Sequence, residues 1–190
     1  MTRTYELKRR AERQAETRER IVQATVDLHT TVGPARTSIS AIAERAHVQR
    51  HTVYAHFPSE RELFDACTAH WSGDHPFPDP ALWLTINDPE LRLRTALHDI
   101  YAWYEEVEED LAIFRRDAQL HLLTAERVAI RSEALAAPAK ALAQGWPRRK
   151  AVRAAIGHAL EFETWRSLVR REGLSEKQAV DAMLRLVASS

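Results

Sequence analysis

Cysteine is almost missing from this 190-residue chain, where Cys67 stands alone. One thiol cannot close an internal disulfide, and the four cysteines of a structural zinc site are not available. Its setting, ELFDACTAH, reads as a small hydrophobe on a helix. Glycine is scarce as well, with five in all, and neither G-x-G-x-x-G nor a Walker loop occurs. No apolar run approaches the ~18 residues of a membrane span. The first twenty residues, MTRTYELKRRAERQAETRER, are too charged for a secretory signal. A cytoplasmic protein with no membrane partner is therefore expected. Catalytic patterns are missing too: there is no HExxH and no nucleophile beside a base. His98, His121 and His158 fall on different helical stretches, so neither an enzyme nor a cofactor or metal site is expected.

What is present is helical periodicity. Almost every segment repeats its apolar residues at 3.6, and no alternating strand stands out, so the expected fold is all-α with about nine helices. A first helix over about 11–31 turns Ile21, Ala24, Thr25 and Leu28 inward, and Gly33-Pro34 stops it. Short helices follow at 38–46 and 50–57. Ser59 and Glu62 then form a capping box for a helix running to about Ser72. GDHPFPDP, residues 73–80, is expected to be non-helical throughout. Asp88-Pro89 opens a helix with Leu93, Leu97, Ile100, Tyr104 and Val107 on one face. Helices are expected at 111–122 and 124–144, then a long one at 148–171 after Gly145-Trp146-Pro147. Gly173 stops it, and Ser175 caps the last.

Net charge is zero overall but uneven. Residues 1–57 carry ten Arg or Lys against six acids, and the other 133 carry seventeen against twenty-one. A basic end suggests contact with a polyanion. Within that end, AIAERAHVQRHTVYAHF (41–57) places two short helices around a tight turn. Ala43 is small enough for a close crossing, His47 tolerates positive φ, and Val48 plugs the turn. Val53 and Phe57 point back into the core, so Gln49, Arg50, His51, Thr52 and Tyr54 must face outward, where a major groove would accept them.

This stretch resembles the DNA-binding domain of the tetracycline-repressor (TetR) family, T-x-x-x-I-A-x-x-A-G-V-x-x-x-T-L-Y-x-H/Y-F-x-S-K-E-x-L. Ser38, Ile42, Ala43, Ala46, Val48, Thr52, Val53, Tyr54, His56, Phe57, Ser59 and Leu63 stand at or near its positions, over about 45 residues from Ile21 to Cys67. FETWRSLVRREGLSEKQAV resembles the last two helices of many members. Three departures stand out. His47 replaces the turn glycine, Glu60 replaces a phosphate-contacting lysine whose role Arg61 is expected to take, and His29 replaces an aromatic plug.

The resemblance implies a helix-turn-helix domain at 1–57 (with a basic arm at 1–16) and an effector-binding and dimerisation domain at 58–190. It implies a homodimer on palindromic double-stranded operator DNA. Gln49, Arg50, His51 and Thr52 would read bases, while Thr37, Ser38, Tyr54, His56 and Arg61 would hold phosphates. The arm up to Arg20 would add phosphate contacts. Tyr101, Trp103, Tyr104, Phe114, His121, Phe162 and Trp165 would surround a small apolar or aromatic effector, ordinary core being the alternative for each.

The 148–171 helix is apolar on more than one side, which calls for a second neighbour. By resemblance, Val152, Ile156, Ala159 and Leu160, with Val180, Met183, Leu184 and Val187 of the last helix, would form the dimer contact; a central helix within one chain is the other reading. Repression is the expected outcome. Activation, or a helical interaction protein with a degenerate DNA surface, is the alternative.

Overall fold

The computed structural model describes residues 2–190, with side chains from Tyr5 onward. Met1, at the tip of the expected arm, lies outside the described residues, as do the side chains of residues 2–4. The described chain is all-helical, in two compact units. One comprises residues up to Pro76 together with Glu109–Glu126; the other comprises Phe77–Glu108 and Arg127–Ser190. The first unit thus extends past residue 57 and takes in a later stretch of the chain.

In the first unit, α1 (Thr2–Thr31) is followed by a 3-10 turn (Pro34–Arg36), α2 (Ile39–Arg45), α3 (Arg50–His56) and α4 (Glu60–Asp74). Most of α7 (Glu108–Asp117) and the start of α8 (Leu122–Ala134) complete it. Its core gathers Ile21, Val22, Ile42, Val53, Phe57, Leu63, Phe64 and Trp71, with Leu111 from α7. Thr25 is buried with them because its hydroxyl donates to Ile21 O at 2.7 Å. Trp71 Nε1 donates to Asp110 at 2.6 Å, and the Trp71 ring meets Phe114 edge-on at 5.6 Å.

The second unit holds α5 (Pro80–Trp83), α6 (Pro89–Glu106), the rest of α8, α9 (Ala136–Leu142), α10 (Lys150–Ala159), α11 (Phe162–Arg166), a π turn (Ser167–Arg171) and α12 (Glu176–Ser189). Asp88 caps α6 by accepting from Leu91 N at 2.6 Å, with Pro89 at the first helical position. Leu93, Leu97, Ile100, Tyr104 and Val107 of this helix and its C-cap are buried as expected. Ser175 and Gln178 form a complete capping box on α12. No helix among the described residues is long and apolar enough to cross a membrane.

Several boundaries differ from the periodicity. The α4 helix runs on through Gly73 and Asp74, since no proline restricts the backbone before His75, and Pro80 itself starts α5. Ser59 accepts from Glu62 N at 3.2 Å, but the Glu62 carboxylate accepts the Ser59 hydroxyl at 3.0 Å. The expected 111–122 helix begins at Glu108 and stops at Asp117. The expected 124–144 helix is split at Leu135 because Pro138 has no N–H to donate to Ala134.

The expected 148–171 helix is also broken, at Leu160-Glu161. The break exposes carbonyl groups inside the core, and two phenols from α6 satisfy them. Tyr101 donates to Ala159 O at 2.9 Å and Tyr104 to Leu160 O at 2.7 Å. The chain then restarts with Phe162 edge-on to Tyr104 and Trp165 tilted against it, at 5.3 and 5.8 Å between ring centres.

Val152, Ile156, Ala159, Leu160, Val180, Met183, Leu184 and Val187 are all buried within the single chain. The neighbours of α10 within the same chain are α12 and α9. These eight side chains therefore offer little surface to another copy.

Candidate nucleic-acid interface

The turn between α2 and α3 explains the site's geometry. Val48 N bonds to Ala43 O at 2.9 Å and His47 N to Glu44 O at 3.1 Å. This is the paired Schellman pattern that ends a helix through a left-handed residue, and the residue here is His47, at φ 54°. His47 is the one non-glycine with positive φ among the described residues. The conformation costs a side-chain-bearing residue about 1 kcal/mol. His47→Gly is accordingly expected to raise the unfolding free energy by about 0.5–1 kcal/mol in urea titration; a fall in stability would show that the imidazole makes a compensating contact.

Ala43, Ala46, Val53 and Phe57 lock the two helices to the core. Gln49, Arg50, His51 and Tyr54 are left exposed, with Thr52 and His56 half-buried. Among the described residues, no hydrogen bond or ion pair ties any of these six side chains to the chain. They are polar, they share one short helix and its cap, and their donors and acceptors are uncommitted.

The approach to α2 is held from a distance. Gly33, at φ 99° and ψ 153°, turns the chain after α1 into the 3-10 turn. The Ala35 amide then donates to Asp117 Oδ2 at 2.9 Å. Arg116 donates Nε to Asp117 Oδ1 at 2.7 Å and Nη2 to Val32 O at 3.0 Å. Burial pushes the Asp117 carboxyl up, but the Arg116 guanidinium and the Ala35 amide outweigh it and hold the group below the usual carboxylate range. Past this clasp, Thr37 donates to Gly33 O at 2.9 Å and Ser38 caps α2 by accepting from Ala41 N at 3.2 Å. Sequence reasoning missed Arg116 and Asp117. No local signal marks them, since Asp117 meets a residue 82 positions away.

Two of the three residues that depart from the family pattern, His29 and Glu60, have partners. His29 is 8% exposed, with Nδ1 3.5 Å from Cys67 Sγ and its ring against Phe64. Burial lowers its pKa to about 4 and, acting on the thiol, raises Cys67 to about 12. Neither is a reactive group at neutral pH. Glu60 accepts from His121 Nε2 at 3.0 Å. Arg61, expected to replace the missing lysine, pairs with Glu126 at 2.9 Å, so a phosphate would have to compete with that carboxylate.

Residues 21–67 match the family model for bacterial regulatory proteins of the tetR family. The chain carries a TetR-type DNA-binding domain. The TetR-like fold continues beyond that segment. A TetR-like transcriptional regulator from Rhodococcus sp. RHA1 is 19% identical, with a TM-score of 0.58 over 90% of this chain and 93% of that one. A TetR transcription regulator from Haloarcula marismortui is 16% identical, with a TM-score of 0.60 over 92% and 96%. A transcriptional regulator from Rhodococcus sp. Rha1 gives 18% and 0.60 over 90% and 96%. At these identities the likeness establishes the fold. No curated protein matches the chain.

The aromatic residues that TetR resemblance assigned to one pocket lie in both units. Tyr101, Trp103, Tyr104, Phe162 and Trp165 form one buried cluster in the second unit. Phe114 and His121 belong to the first, against Trp71 and Phe64 respectively.

Proposed function

We propose that this TetR-type protein is a ligand-responsive transcriptional repressor that binds a palindromic operator as a homodimer. The supporting observation is the outward face of α3, whose polar side chains have no hydrogen-bond or ion-pair partner among the described residues. Gln49, Arg50, His51 and Thr52 are proposed to meet base edges; Thr37, Ser38, Tyr54, His56 and Arg61 are proposed to grip phosphates. A second copy would pack on the outer faces of α10 and α12. There Ala151, Ala154 and Gly157, with Ala182, Leu186 and Ser189, would allow close helix approach. An apolar or aromatic effector would act by binding better to the dimer state whose α3 helices no longer match successive grooves.

Selection of bound duplexes from a random pool tests this reading, and a two-fold symmetric consensus is expected. Arg50→Ala should weaken binding to that consensus by about 1–3 kcal/mol while hardly changing binding to random DNA. An equal loss on both would remove Arg50 from base reading. A selection returning no enriched sequence, with binding insensitive to salt, would sink the operator-binding proposal itself.

A further inference from the structure

Two side-chain donors in the second unit are buried with nothing to bond. Among the described residues, Arg92 Nε and Trp146 Nε1 are the only buried side-chain nitrogen or oxygen atoms without a hydrogen-bond partner. They fall in one place. Arg92 stands in the first turns of α6 and is 7% exposed. Its Nη1 donates to Ile86 O at 2.9 Å and its Nη2 to Gln144 O, two residues before Trp146. Gly145 lies between them at φ 88°, where a Cβ would stand 2.8 Å from Pro89 Cγ and 3.6 Å from Arg92 Nη2. The Gln144–Trp146 turn is thus pressed onto the guanidinium, and the half-buried Trp146 keeps its indole N–H out of solvent.

The charge at this place is not balanced. Carbonyl groups can bond a guanidinium but cannot neutralise it, and a buried cation is costly unless an anion meets it. Among the described residues, no carboxylate pairs with Arg92. The acids nearest in sequence are committed elsewhere: Asp88 accepts from Leu91 N at 2.6 Å and Glu90 from Arg94 at 3.1 Å. The chain leaves the turn through Pro147, Arg148, Arg149 and Lys150, whose three exposed cations add to the positive field. A packed core gains nothing from an orphan indole N–H beside an unpaired guanidinium. An anion with two acceptor atoms would use both.

We infer that Arg92 and Trp146 form a binding site for a small carboxylate, one oxygen accepting from Arg92 Nε and the other from Trp146 Nε1. The donor set selects this class. An indole N–H gives one hydrogen bond and no charge, and both Nη groups already serve carbonyls. One negative charge carrying two oxygens therefore satisfies both orphan atoms and balances the cation. A phosphate brings more oxygens than the site has unpartnered donor atoms. The site does not involve α3, and it stands whether or not the chain binds DNA.

The test follows the indole and arginine Nε–H signals of the isotope-labelled full-length protein by NMR. The protein is titrated in turn with sodium acetate, chloride and phosphate. With acetate, the Trp146 indole signal, identified by its loss in Trp146→Phe, should shift and saturate together with the Arg92 Nε–H signal. In Trp146→Phe the Arg92 signal should still shift, with acetate bound about tenfold more weakly, as the loss of one hydrogen bond to a charged group entails. Arg92→Lys keeps a cation but removes the Nε donor, so the Trp146 shift should vanish while the other indole signals stay in place. A Trp146 signal that acetate does not move overturns the site and leaves both donors to buried water. Equal saturation by chloride, or tighter binding of phosphate, overturns the carboxylate assignment. An Arg92→Lys titration matching wild type removes the guanidinium from the site, and unchanged acetate affinity in Trp146→Phe removes the indole. Should Arg92→Lys not fold, the wild-type and Trp146→Phe titrations decide alone.

Discussion

Gly33→Ala is expected to lower the unfolding free energy by roughly 3–5 kcal/mol. The backbone at φ 99° and ψ 153° belongs to a region that only glycine occupies readily, and forcing a side chain there costs about 1–3 kcal/mol. A Cβ would also overlap Asp117 Oδ2 and stand 2.5 Å from Arg116 Nη2. To escape, Asp117 must leave the Ala35 amide, and an unsatisfied buried group adds about 1–3 kcal/mol. Gly73→Ala is the matched control, because a Cβ there meets nothing within 4 Å and lies in a helix. Urea titration of the two variants checks this. A loss below about 1 kcal/mol for Gly33→Ala would show that the clasp yields easily.

Acidification should destabilise the protein through His29 by an amount comparable to the Gly33 effect. Burial lowers the folded-state pKa from 6.5 to about 4, with His121 adding to the depression while Glu60 and Asp117 oppose it. Above pH 6.5 both states hold a neutral ring, and the group contributes no pH dependence. Between 6.5 and 4 the unfolded chain takes up a proton that the folded chain refuses, so stability falls as pH drops. The loss saturates below pH 4 at roughly 3 kcal/mol. His29→Phe keeps a ring in the site and removes the titration. The wild type should therefore lose about 3 kcal/mol more than the variant between pH 7 and 4. Equal losses, or a folded-state midpoint near 6.5 in an NMR titration of His29, would rule this account out.

What the sequence disclosed and what it concealed divide along physical lines. Local chemistry was legible. Asp88 and Ser175 announce helix starts, Gly173 announces a stop, and the positive φ of His47 follows from its place between Ala46 and Val48. The outward set on α3 follows from the inward pair Val53 and Phe57. The break at Pro138 was written in the sequence and outweighed by the apolar repeat around it. The break at Leu160 was written only faintly nearby. Gly157 weakens the helix just before it, and Tyr101 and Tyr104, 58 and 56 positions away, supply hydroxyls for the freed carbonyls. The apolar excess of the 148–171 stretch calls for more than one neighbour, but composition cannot say whether each belongs to the same chain. The aromatic set was harder still, because Phe114 and His121 have the same character as Tyr104 and Trp165 yet pack in another unit.

The hold that Asp117 keeps on Ala35 bears on how such a chain can be divided. Residues up to Pro76 contain every side chain proposed to touch DNA, and on paper they look like a transferable cassette. In three dimensions that cassette borrows parts from a stretch more than thirty residues downstream: a carboxylate for the Ala35 amide, another for the Trp71 indole, and a histidine for Glu60. Cutting after Pro76 would keep the letters of the reading head and discard the fastenings that set its angle. Grafts onto another regulator's body would need 109–126 to travel with it.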